Sequence, residues 1–70
     1  MNITELKVEM TRHGMSVCDL ANKIGISKKA MYAKLARKSR FTQAEIVAIR
    51  SALKLNDKRM IEIFFDRSVS

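Results

Sequence analysis

In 70 residues the chain has no proline and only two glycines, Gly14 and Gly25. Those are the two residue types that break helices most strongly, so little in this sequence can interrupt one. Ala, Leu, Lys, Glu, Met and Arg, all good helix formers, make up much of the remainder. Val17, Val47 and Val69 are isolated, and no alternating apolar run is long enough to define a strand. The pattern predicts an all-α fold.

The glycines and a set of capping residues divide the sequence into five short amphipathic segments. Asn2, with Glu5 three residues on, opens the first; Ile3, Leu6 and Met10 recur at helical spacing, and Gly14 suits the left-handed position that ends it. Ser16 with Asp19 opens a second, with Leu20, Ala21 and Ile24 facing inward and Gly25 as its stop. Ser27 caps a third that runs from Lys28 to about Arg37, with Met31 and Leu35 on its inner side. The loop Lys38-Ser39-Arg40-Phe41 follows. Thr42 with Glu45 starts a fourth, carrying Ile46, Ile49, Leu53 and Val47 inward. Asn56 caps a short fifth with Met60, Ile61 and Phe64 as its apolar face, and Arg67 to Ser70 is expected to fray. The inner residues suffice for one core, so residues 1–70 read as a single domain. A chain of this size buries only about 60% of its unfolded surface and is marginal without help.

Several functions are disfavoured. Cys18 has no partner within the chain, which fits a reducing compartment, and a single His with a single Cys offers neither metal-ligand spacing nor an acid–base set. There is no Gly-rich phosphate loop and no paired carboxylate set, so neither enzymatic activity nor a cofactor, metal or small-molecule substrate is expected. His13 suits the end of the first helix, where it favours the helix dipole. No apolar run approaches the ~20 residues that span a bilayer, and the first residues lack the basic and apolar regions of a signal peptide. A cytoplasmic location is the expectation.

Charge is more telling in its distribution than in its total of +7. Between Asp19 and Glu45 lie Lys23, Lys28, Lys29, Lys34, Arg37, Lys38 and Arg40, and no acid. The rest of the chain holds seven basic and seven acidic residues, so the whole excess belongs to about a third of the molecule. A confined excess points to a face that binds a polyanion.

The same stretch has the spacing of a helix-turn-helix, at about residues 16–37. That motif needs a small residue where two helices touch (Ala21) and a glycine four residues later to reverse the chain (Gly25). It also needs an apolar plug in the angle (Ile26) and an apolar residue locking the second helix to the first (Met31). Leu20 and Ile24 supply the remaining core contacts.

From Val17 to Leu35 the sequence resembles the lambda-repressor-like family of helix-turn-helix regulators. The string from Phe41 to Leu55 (Phe-Thr-Gln-Ala-Glu-Ile at its start) and the Ile63-Phe64-Phe65 ending are similar, more narrowly, to small Cro- or repressor-type regulators of temperate phages. The resemblance covers about residues 3 to 65. It implies a compact five-helix fold, dimeric binding to a short pseudo-palindromic double-stranded DNA operator, and control of transcription in a bacterial host cell. It further implies that Ser16 and Val17 meet the DNA backbone, although Val17 lacks the side-chain donor common there. Ser27, Lys28, Lys29, Tyr32 and Ala33 fall where the family's recognition helix faces bases and flanking phosphates. Lys34 departs from the pattern, which commonly has an apolar residue; its stem is expected along the core edge, with the ammonium reaching solvent or a phosphate.

Side-chain chemistry is consistent with these roles. Lys28 and Lys29 can donate to guanine O6 and N7, as point charges rather than bidentate forks. Tyr32 offers a ring for a thymine methyl and a hydroxyl for a phosphate, and Ala33 lets the helix sit close. Ser39, Arg40 and Thr42 lie where the amides of the fourth helix's start would suit a phosphate, while Lys23, Arg37 and Lys38 add sequence-independent attraction. Met60, Ile61, Ile63, Phe64 and Phe65 exceed what one helix face hides, and Ile63, Phe64 and Phe65 are the expected dimer interface, a weak one. The rival reading is a protein-interaction module, antirepressor- or antitoxin-like, that binds another regulator. RNA binding is weaker, for want of an exposed aromatic platform.

Overall fold

A computed structural model describes residues 1–65. They form five helices and no strand: α1 (Ile3–Arg12), α2 (Val17–Ile24), α3 (Lys28–Leu35), α4 (Gln43–Leu53) and α5 (Asp57–Phe64). The expectation for residues 67–70 lies outside the described residues.

Every helix begins where a side-chain oxygen takes up an orphan backbone N–H. Asn2, Ser16, Ser27, Thr42 and Asn56 each accept from the amide three residues ahead, at 2.8–3.1 Å. At α2 and α4 the exchange is reciprocal: Asp19 accepts from the Ser16 amide at 3.0 Å and Glu45 from the Thr42 amide at 2.7 Å. These bonds hold both carboxyls below their ordinary values.

Four helices stop at a left-handed residue. Two are the glycines, Gly14 at φ +63° and Gly25 at φ +79°. The other two are not: Arg37 (φ 63°) ends α3 one turn-residue after Ala36, and Lys54 (φ 51°) ends α4. Around each, the following amide reaches back across the last turn. Met15 donates to Met10 O, Ile26 to Ala21 O, Lys38 to Ala33 O and Leu55 to Arg50 O, all at 2.9–3.0 Å. The third helix therefore ends at Leu35, before the Arg37 anticipated from sequence.

All five helices share one core, built on Leu6, Met10, Leu20, Ala21, Met31, Ile49, Leu53, Leu55, Met60 and Ile63. In it α2 packs on both α3 and α4, and α1 packs on α5. The radius of gyration, 11.0 Å, matches the ~11 Å expected of a folded chain this long. Two inward assignments need correction. Val47 is 57% exposed, because α4 turns Ile49 and Leu53 to the core instead. On α5 the buried pair is Met60 and Ile63, which leaves Ile61 58% exposed.

Polar groups tie the outer helices together. Glu9 on α1 is buried, and its Oε1 accepts from Arg59 Nε of α5 at 3.0 Å. Arg59 also donates to Glu5 at 3.0 Å, and this bond, with those to Glu9, raises its pKa above the ordinary arginine value. The Asn2 amide donates to Ile63 O at 2.6 Å, fastening the start of the chain to α5. Among the described residues no helix is long and apolar enough to cross a membrane.

Candidate nucleic-acid interface

The α2–turn–α3 unit follows from residues that meet its steric demands. Ala21 is buried where the helices touch, and both the Gly25 and Ile26 amides donate to its carbonyl. A Cβ at Gly25 would meet nothing within 4 Å, so the turn requires glycine for its backbone angle rather than for space. Met31 is fully buried, Leu20 likewise, and Ile24 and Ile26 pack against that core from its edge. One side of α3 is thereby fixed to the body of the protein.

The other side is free. Lys28, Lys29 and Tyr32 are exposed (Tyr32 by 51%), and Ala33 is half-buried beside them. The Lys28 ammonium lies 5.9 Å from the Tyr32 ring centroid, within cation–π range. Ser27 caps the helix through Ala30 N–H, which leaves its hydroxyl proton available. Unlike the other four helices, α3 has no acidic residue in its first turn. The partial positive charge of its start is therefore not offset by a carboxylate.

Ion pairing separates the basic stretch from the rest. Glu5, Glu9 and Glu62 lie within salt-bridge distance of Arg59, Glu9 also of Arg12, and Asp57 of Arg50; Asp19 is held in its capping box. Among the described residues, Lys23, Lys28, Lys29, Arg37, Lys38 and Arg40 have no acidic partner, and all six are exposed. They lie on α2, on α3 and in the loop to α4, so the excess seen in sequence is also an unneutralised surface. Arg37 and Arg40, with Ser39, line a groove of about 470 Å³ that also contacts Phe41 and Phe64.

Several expected contacts stand differently. Lys34 is half-buried, and its ammonium already donates to Arg40 O at 2.9 Å and meets Glu45 Oε1 at 3.1 Å, so it is not a free phosphate ligand. Its head turns to the half-buried carboxylate of Glu45 rather than to solvent. Val17 packs against the core, and only its backbone N–H, which precedes the first intrahelical bond of α2, remains for a phosphate. The Ser16 and Thr42 amides are taken by Asp19 and Glu45, which leaves their hydroxyl protons as the donors. Ile63 is 0% exposed and belongs to the core rather than to an interface. The apolar groups that α5 presents outward are Ile61 and Phe65, the latter 60% exposed, while Phe64 is half-buried edge-on to Phe41.

Glu45, a helix cap by its sequence, has a second role as the partner of Lys34. No local signal marks that pair, because the α3–α4 loop separates its members. Comparison with protein-family models, curated proteins and solved structures gives no match to this chain.

Proposed function

We propose that the protein is a sequence-specific, double-stranded-DNA-binding transcriptional regulator of the phage Cro or repressor type, with a lambda-repressor-like arrangement of its five helices. The observation that carries this reading is the set of six exposed cations, without acidic partners among the described residues, around a helix-turn-helix whose second helix has one free face. In this reading α3 enters the major groove. Lys28 and Lys29 donate to guanine O6 and N7, and Tyr32 and Ala33 lie against thymine methyl groups. Lys23, Arg37, Lys38 and Arg40 neutralise phosphates, assisted by the hydroxyls of Ser16, Ser39 and Thr42.

One such domain makes few contacts, so two copies read two half-sites about 34 Å apart. Phe65 and Phe64 serve the pairing, with Ile61 taking the place expected for Ile63; the contact is small, and pairing is assisted by DNA.

Direct titration tests the division of labour. Lys29→Ala and Tyr32→Ala should lose about 1–3 kcal/mol of discrimination between an operator and a random duplex. Lys38→Ala and Arg40→Ala should weaken both complexes alike and lower the salt slope by about 0.9 each. Wild-type discrimination in Lys29→Ala would contradict the placement of α3. Weak binding without sequence preference by the wild-type protein would favour the protein-interaction reading.

A further inference from the structure

Lys34 is the one cation of the acid-free stretch that meets an acid among the described residues. Its side chain is only 12% exposed, and its Nζ has three neighbours around the loop: Arg40 O at 2.9 Å, Glu45 Oε1 at 3.1 Å and the Phe41 ring centroid at 5.7 Å. Glu45 Oε1 in turn accepts the Thr42 amide at 2.7 Å. Phe41 stands edge-on to Phe64 of α5, with ring centroids 6.3 Å apart. A single ammonium, with its three donors, thus joins the last turn of α3 to the loop backbone, the loop aromatic and the cap of α4. An apolar side chain at this position could pack against Phe41 but could not bind the Arg40 carbonyl.

We propose that Lys34 is a positioning residue, whose ammonium fixes the Lys38–Phe41 loop against the start of α4 so that Lys38, Ser39 and Arg40 meet phosphates in one arrangement. The geometry stands by itself, while the use made of it rests on the DNA-binding reading. A loop ordered before binding loses less conformational freedom on binding, and its contacts are then realised in full.

Nitrogen-15 relaxation and DNA titration of Lys34→Met, Lys34→Arg and Glu45→Gln test the proposal. Order parameters at Ser39, Arg40 and Phe41 should be near ~0.85 in the wild type and fall to ~0.6 or below in Lys34→Met, with those of α3 unchanged. Lys34→Arg can still donate to both the Arg40 carbonyl and Glu45 and should retain the ordered loop. Glu45→Gln retains the capping box but removes the charge, and should loosen the loop part of the way. Affinity of Lys34→Met for all duplexes should fall about tenfold, with the preference among duplexes kept. An ordered loop in Lys34→Met, with a salt slope reduced by about 0.9, would make Lys34 itself a phosphate contact and overturn the proposal. A loosened loop with unchanged affinity would also overturn it. If the wild-type protein bound no duplex, the relaxation data would still decide whether Lys34 holds the loop, and the DNA reading alone would fail.

Discussion

Arg37 and Lys54 hold left-handed backbone angles, which a β-carbon makes unfavourable by about 1–2 kcal/mol relative to glycine. Glycine recovers most of that and loses part of it to its greater freedom in the unfolded chain. Lys54→Gly should therefore stabilise the protein by about 0.5–1 kcal/mol, read as a rise in Tm of a few degrees. Arg37→Gly should stabilise it by less, since it also removes the hydrogen bond that Nη2 donates to Met1 O at 3.4 Å. It should at the same time weaken binding to any duplex, because it deletes one of the six cations that have no acidic partner among the described residues. Stability and affinity moving in opposite directions at Arg37, and stability alone changing at Lys54, would distinguish a retained binding residue from ordinary strain. Neither site was legible in the sequence, where the end of a helix is marked by glycine and a lysine or arginine carries no such mark. Gly14 and Gly25 were legible for the same reason.

The starts of the helices could be read from sequence because a cap is a local event, decided by one side chain and the amide three residues on. Which face turns inward is decided by neighbours far along the chain. Val47 and Ile61, expected to face inward, are for that reason exposed, and Ile63, expected at an interface, is core. The Glu9–Arg59 pair was invisible for the same reason: its members stand on α1 and α5 and meet only in the folded molecule. Glu9 is buried, so Arg59→Met should destabilise the protein by about 2–3 kcal/mol by leaving a carboxylate with only the looser Arg12 contact at 3.6 Å. Adding Glu9→Leu should recover much of that loss in urea unfolding, and a simple sum of two losses would contradict the account. The capping boxes of α2 and α4 give a pH dependence of defined sign. Asp19 and Glu45 are held below their ordinary values of 3.8 and 4.5. Their contribution is complete above those values and is lost as the pH falls through the lower folded ones. Acid titration followed by amide chemical shifts should show the Ser16 and Thr42 signals moving together with these carboxyls, while that of Ser27, which has no such partner, stays still.

At the scale of the molecule, ion pairing sorts the charge. Glu5, Glu9 and Glu62 meet Arg59, with Arg12 beside Glu9, and Asp57 meets Arg50, whereas among the described residues the cations from Lys23 to Arg40 other than Lys34 have no acidic partner. The confined excess was legible in the sequence because no acid lies between Asp19 and Glu45. That Lys34 turns to an acid was not, since only the fold brings it to Glu45. Whether α3 reads a specific duplex sequence is decided by selection of bound sequences from a pool of random duplexes at physiological salt. Enrichment of one pseudo-palindromic site is expected, with half-sites about one helical turn (~34 Å) apart, and loss of that enrichment in Lys29→Ala. A pool that emerges without a preferred sequence would contradict that reading of α3.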